Sequence, residues 1–465
     1  MRKDLYLYIY ILISIVCNAL SFLSGQTEEA LVVIGNCCTV VLFSYLFFDY
    51  KVNTKFTYSA LFVLILFLFH FGQLMLQTFF SKSYEHIRFL LLLDVKESLY
   101  GFRVMTLSLS ALCLGILWKS ITYKVHNNNF AHYDINWIVF SKRIIYATFF
   151  VKLGLDIATL FISFTAGGEA ARIFVNTFPN ILLFYGKISM LGFAILLVAL
   201  KQQPLKQTKL FLFIILYVLL MMMSGVRSEN VGYLAVFLFI YLQSRLIHVK
   251  VKQVLLYGFC AFWGLTFIVA VGQFRDYKNK SLDAFLELSD NLLTKENVIL
   301  GLFDTCGDTG YTAQEALNSY IPKYGVSYGD AYYKGIIAVI PNLFPQIIDL
   351  GKITEASSCP VKLQESKVLN PQYYNIGGSF FAELFMNFGV VGGVFMCFFW
   401  GAFFGWIGRV SAIAFETNNI YKLIFMIPLM LSTIYWVRSY FGGGVREAVW
   451  DIMLALFVFR NQIKR

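Results

Sequence analysis

Residues 377–407, GGSFFAELFMNFGVVGGVFMCFFWGAFFGWI, hold one charged side chain, Glu383, in a run of thirty-one. About 20 apolar residues in helical form cross the hydrocarbon core of a bilayer, so this stretch reads as a transmembrane helix with a carboxylate near its start. Eleven further apolar runs surround it, at 5–23, 30–48, 58–80, 104–118, 144–165, 178–200, 210–224, 231–246, 254–272, 423–440 and 445–459. The whole chain of 465 residues is 58% hydrophobic, 18% aromatic and only 14% charged. Soluble domains carry roughly 25% charge, so the expected class is an all-α polytopic membrane protein with about 12 transmembrane helices. The first run follows MRKD, lacks a small-residue cleavage site after it, and reads as an uncleaved signal anchor.

The net charge is +11, which in a soluble protein would suggest nucleic acid. The positive-inside rule gives another cause. With the N-terminus placed in the cytoplasm, 19 Lys and Arg fall on the inner side and 8 in short outer loops. Both termini are therefore expected in the cytoplasm, the excess cations act as topological anchors, and no nucleic-acid partner is called for. The outer side carries one long connection, 274–376, with 12 acidic and 9 basic residues. Structureless loops of that length are uncommon, so it is expected to form a helical subdomain between a first membrane domain (1–273, spans 1–9) and a second (377–465, spans 10–12). Within it, DTCGDTGYTAQEAL reads as a turn-rich patch, and the IIAVI run of GVSYGDAYYKGIIAVIPNLFP is expected to lie against the membrane. IRFLLLLDVKESL, 87–99, reads as an interfacial helix. Eight cysteines show no CxxC spacing, and a disulfide between Cys306 and Cys359 is left open.

Cations at outer helix ends run against the positive-inside bias and so mark candidate function. They are Arg172 in GGEAARIF, Arg227 in SGVRSEN, Arg275 in GQFRDYK, and Arg438 and Arg446 in RSYFGGGVRE. Their forked guanidinium groups suit bidentate grip of phosphate or pyrophosphate. The competing reading is that each snorkels to lipid headgroups or pairs with a nearby glutamate, as in RSE and VRE. Two carboxylates qualify as general bases, Glu383 and Glu229, and a purely structural Glu383–Arg pair stands beside that reading. Lys152 and Asp156 lie one helical turn apart, and an Asp156–Lys187 bridge between neighbouring spans is expected, with an ion or proton relay as the alternative. The five histidines have no ligand spacing, Asp304 and Asp308 fit helix capping better than a calcium loop, and no nucleotide-binding fingerprint occurs. No metal or cofactor is expected.

Three features occur in order. RSENVGYLAVFLF opens an outer helix end, the late outer loop holds GVSYGDAYYKGIIAVIPNLFP, and GGSFFAELFMNFGVVGGVFMCFFWG opens the next span. Over residues 220–450 this ensemble resembles the bacterial oligosaccharide repeat-unit polymerases, the Wzy family of O-antigen polymerases. The resemblance implies a GT-C-like helical fold in the bacterial inner membrane with its active face in the periplasm. It implies transfer of a glycan from undecaprenyl pyrophosphate to the non-reducing-end hydroxyl of another lipid-linked repeat unit. The five arginines would stabilise the pyrophosphate leaving group, Glu383 or Glu229 would take the acceptor proton, and outer-loop tyrosines such as Tyr328 would stack on sugars. The expected partners are the lipid-linked oligosaccharide, membrane lipid and a chain-length regulator. An O-antigen ligase shares the donor and differs in acceptor. A lipid-linked oligosaccharide flippase is the rival from another class, for which the span charges Lys152, Asp156 and Lys187 would be the signature.

Overall fold

The computed structural model describes residues 3–25, 27–80, 93–123, 136–178, 180–222, 227–244, 298–340, 350–366, 377–417 and 419–463, with isolated positions between them. Every regular element among these residues is helical. The order is α1 (Lys3–Leu23), α2 (Glu28–Asn53), α3 (Tyr58–Phe80), α4 (Val95–Thr122), α5 (Trp137–Ala166), α6 (Gly168–Asn176), α7 (Asn180–Ala199), α8 (Pro204–Met222) and α9 (Arg227–Ser244). Then come α10 (Val298–Gly307), α11 (Thr309–Glu315), a π-helical turn (Ala316–Tyr320), α12 (Ile321–Tyr324), α13 (Asp330–Ile337), α14 (Leu350–Ser357), α15 (Cys359–Glu365), α16 (Phe380–Glu416), α17 (Ile420–Trp436) and α18 (Phe441–Ile463).

Seven of the described helices, α1 to α5, α8 and α16, are long and apolar enough to cross a membrane. The chain is a polytopic helical membrane protein. The other expected spans coincide with α7, α9, α17 and α18, which are not among those seven, except 254–272, which lies outside the described residues. Large apolar side chains point outward along the long helices, among them Leu12, Ile15, Phe150, Phe161 and Val391. In a bilayer such faces meet lipid and carry no cost.

The chain divides into two compact units. The first comprises Met1–His126, Phe303–Ala412 and Ser432–Arg446. In it α1 packs on α2 and α4, and α2 packs on α3 and α4. Between membrane helices the hydrophobic drive is absent, and close contact of small residues replaces it. GAFFGWIG at 401–408 is such a stripe. A side chain at Gly401 would run into the Leu112 carbonyl of α4, one at Gly405 into that of Ile116, and one at Gly115 into that of Phe398. Ser59 adds a hydroxyl bond to the Phe404 carbonyl, 2.9 Å.

The same device seats α11. Gly310 abuts the His70 carbonyl midway along α3, and Gly101 of α4 admits Gln314. All seven residues of α11 are buried. The stretch read from sequence as turn-rich, DTCGDTGYTAQEAL, is thus mostly helical and enclosed between α3 and α4. Gln73 of α3 donates to Asp308 at 2.8 Å and to Asp304 at 3.4 Å, which accounts for those two carboxylates. The segment read as an interfacial helix is corrected likewise in its described part. Val95 begins α4 itself, with the Asp94 amide donating to Glu97 Oε2 at 3.3 Å. Cys306 and Cys359 are both buried free thiols.

The second unit comprises Asn127–Leu302, Ile413–Leu431 and Glu447–Arg465. Here α5 packs along α7, α7 touches α8 and α9, and α8 pairs with α9.

Candidate functional site

In the first unit the centre is the opening of α16. Gly389 has φ 71° and ψ −176°, so the helix is broken there into 380–388 and a long second part. That conformation is reached essentially by glycine alone, and a break leaves the preceding carbonyls without their helical donors. Loop amides take their place: Ser327 N donates to the Met386 carbonyl at 2.7 Å and Gly329 N to that of Asn387 at 3.2 Å. The Asn387 side chain accepts from Ala331 N in the first turn of α13, 3.1 Å, and donates to the Glu383 carbonyl, 2.7 Å. Two separately quoted motifs, GVSYGDAYY and GGSFFAELFMNFG, therefore interlock through backbone.

Glu383 lies in the first turn of α16 and is 0% exposed. Its Oε2 accepts from Trp436 Nε1 at 2.6 Å and from Phe441 N at 2.9 Å. Those residues flank the turn 437–440 that carries Arg438. The turn is further held by Phe380 N to the Val437 carbonyl, 3.3 Å, while a side chain at Gly378 would collide with the Ser439 carbonyl. The Arg438 guanidinium stands over the Phe69 ring at 5.7 Å, and its stem runs past Gly377. Among the described residues Glu383 Oε1 has no hydrogen-bond partner. Tyr332, Trp400, Trp436 and Phe441 form one aromatic cluster around this carboxylate, with centroids 4.6 to 6.2 Å apart.

The helix start is set from the other side by Ser379, whose hydroxyl accepts from Ala382 N at 3.2 Å and meets His70 Nε2 at 2.8 Å. The other ring nitrogen of His70 faces the Leu66 carbonyl at 3.0 Å and must carry its proton to bond there. With both ring nitrogens engaged in this way, the geometry of His70 is that of a structural link. Tyr328 is 89% exposed with φ 48°, presenting its ring at the surface of the same loop. Arg446 lies in the first turns of α18, partly exposed.

In the second unit a cavity of about 210 Å³ is lined by Lys152, Asp156, Lys187, Glu229, Asn230 and Glu447, among others. Lys187 Nζ reaches Glu447 Oε1 at 2.7 Å and Glu229 Oε1 at 3.2 Å. Lys152 pairs with Asp156 at 3.1 Å, one turn along α5, and the Tyr217 hydroxyl also donates to Asp156. Tyr233 donates to Glu229 Oε1 at 2.8 Å. Charges this deep in apolar helices persist when paired, and these are. The expected Asp156–Lys187 bridge gives way to wider pairing. Each member of it has other carboxylate or ammonium partners, because α9 and α18 bring two glutamates to Lys187.

Arg172 sits on α6 and Arg227 begins α9, two residues before Glu229; their side chains and all of Arg275 lie outside the described residues. So Glu383, Arg438 and Tyr328 are gathered around the start of α16, and Glu229 belongs to the second unit's cavity. Sequence reading missed Asn387 and Trp436 as members, whereas Glu447 was singled out beside Arg446 in VRE. Asn387 was visible as a second polar residue one turn after Glu383 in the same apolar run. Arg103 of α4 has a plain role: it donates to the Ser21 and Ser24 carbonyls at 2.8 and 2.7 Å, closing the C-terminal end of α1. No group of three or more metal-ligating side chains occurs among the described residues.

No curated protein and no solved structure matches the chain. The family model described as O-antigen polysaccharide polymerase Wzy matches residues 6–464, nearly the whole length and well beyond the 220–450 region whose motifs resemble it. The chain belongs to the O-antigen polysaccharide polymerase Wzy family.

Proposed function

We propose that this protein lengthens O-antigen chains as a twelve-span, GT-C-like glycosyltransferase of the inner membrane, with both termini cytoplasmic and its active face periplasmic. It moves the growing glycan from undecaprenyl pyrophosphate to the non-reducing-end hydroxyl of a second lipid-linked repeat unit. The acceptor oxygen bonds to the anomeric carbon of the donor, and the bond from that carbon to pyrophosphate breaks. The electron pair leaves on the pyrophosphate, and the hydroxyl proton passes to a carboxylate.

Arg172, Arg227, Arg275, Arg438 and Arg446 supply the positive field for the leaving group, which needs donors aimed at charge as it develops. The donor carries its own leaving group, so no nucleotide is required. Glu229 is the better-placed proton acceptor, because it lines a cavity while Glu383 is wholly buried. Tyr328 offers an exposed ring for a sugar face. A chain-length regulator is the expected protein partner.

The observation that carries this reading is the charged cavity of the second unit, which holds Glu229 two residues from Arg227 in a bundle otherwise built of apolar helices. The test is made in cells whose O-antigen polymerisation depends on this chain. Arg227→Ala and Glu229→Gln, present in the membrane at normal level, are expected to leave lipopolysaccharide bearing single repeat units. Full-length ladders from both would overturn the reading, and loss of even the single unit would identify ligase-type transfer instead.

A further inference from the structure

We infer that Glu383 is a positioning residue for Arg438 and that it exchanges no proton with substrate. The inference rests on the proposed use of Arg438 toward the pyrophosphate.

Three relationships carry it. Glu383 Oε2 receives the Trp436 indole N–H and the Phe441 amide, the last residue of α17 and the first of α18. One carboxylate oxygen therefore closes both ends of a turn only four residues long, 437–440, and Arg438 is in that turn. Hydrogen bonds to a charged acceptor are short and strong, and a turn held at both ends has little freedom left. The double glycine before Glu383 then lets the turn settle: Gly378 leaves no gap to the Ser439 carbonyl, and Gly377 lies along the Arg438 stem. Finally, Glu383 is fully enclosed by Tyr332, Trp400, Trp436 and Phe441, so a sugar hydroxyl has no room beside it. A guanidinium misplaced by about 1 Å can cost two orders of magnitude in rate, which is the scale at which such a clamp matters.

A base and a clamp respond differently to substitution. The Gln side chain retains a carbonyl oxygen that accepts both bonds and has lost the ability to take a proton; Trp436→Phe removes one bond and leaves the carboxylate. The measurement is chain length in cells and initial rate in proteoliposomes supplied with lipid-linked repeat units from those cells, with membrane level checked by immunoblot. Glu383→Ala and Trp436→Phe are expected to shorten chains and to raise the KM for the lipid-linked donor by about tenfold. Glu383→Gln is expected to restore long chains. The double variant Trp436→Phe/Arg438→Ala should be no worse than Arg438→Ala alone, since both changes remove one interaction.

A Glu383→Gln protein as inactive as Glu383→Ala overturns the inference in favour of proton transfer. Full-length chains from Trp436→Phe, or additive losses in the double variant, overturn it as well. Full-length chains from Arg438→Ala alone strike instead at the arginine assignment beneath it. Where Glu383→Ala fails to reach the membrane, Glu383→Gln and Trp436→Phe decide the matter.

Discussion

Lys187 on α7 lies 2.7 Å from Glu447 on α18, and the same ammonium nitrogen is 3.2 Å from Glu229 on α9. One cation thus neutralises carboxylates from two other helices of its unit. Lys187→Met would leave both glutamates facing each other in a partly open cavity. Breaking a buried pair from one side costs about 3–5 kcal/mol, and the partial exposure here lowers that to roughly 2 kcal/mol. The detergent-solubilised variant should unfold at a clearly lower temperature, and adding Glu447→Gln should recover part of the loss. A wild-type melting temperature for Lys187→Met would show that the network contributes nothing to stability.

Gly389 gives a second expectation. Its backbone lies where a Cβ is strained, so Gly389→Ala should cost about 1–3 kcal/mol, or force 380–416 toward a continuous helix. In the second case the Met386 and Asn387 carbonyls regain intrahelical donors and release Ser327 and Gly329. Cleavage near residues 325–330 by an added protease should then accelerate relative to wild type. An unchanged cleavage rate together with unchanged stability would mean that the break does not hold the loop.

These cases show where the sequence was readable. The apolar runs announced the helices because only a fully hydrogen-bonded backbone is tolerated in hydrocarbon. The carboxylate of Glu383 stood out because it was alone in its run. Three things were not legible. The break at Gly389 was hidden among Gly392, Gly393, Gly401 and Gly405, since glycine signals close packing and strained backbone alike. The partners of Lys187 depended on which helices meet, and a charge pattern along one chain does not encode that. DTCGDTGYTAQEAL looked like a turn because Gly, Asp and Thr favour turns in water; its burial against Gly72 and Gly101 gives a helix instead.

The glycine stripe of α16 makes a third prediction. Gly401→Leu places a side chain where the Leu112 carbonyl of α4 stands, and neither backbone can retreat without opening the α4–α16 contact. Overpacking of this kind costs about 1–3 kcal/mol, and more when backbone is the obstacle. Gly154, with open space around it, is the control: Gly154→Ala should leave the membrane level and melting temperature unchanged. Equal behaviour of the two variants would remove the stripe from the account of how α4 and α16 pack.

Strong acid should loosen the loop that carries Tyr328. Burial pushes the Asp330 carboxyl upward, yet bonds from Lys334 at 2.9 Å and Lys362 at 3.3 Å outweigh it and hold it below the ordinary carboxylate range. A folded value lower than the unfolded one means that the charged form is favoured by folding. The contribution is therefore complete above the usual aspartate pKa of about 3.9 and is lost as pH falls through the lower folded value. Lys362 also donates to Ser327 Oγ at 2.9 Å, so the same ammonium ties α15 to the loop and to α13. Hydrogen exchange at residues 325–337 should be flat from about pH 8 to pH 5, after correction for the intrinsic rate, and should rise below about pH 4. Asp330→Asn removes the titrating group, so its corrected exchange should be raised at pH 7 and should lose the acid step. An acid step that survives in Asp330→Asn would assign it to another carboxylate and detach Asp330 from the ordering of this loop.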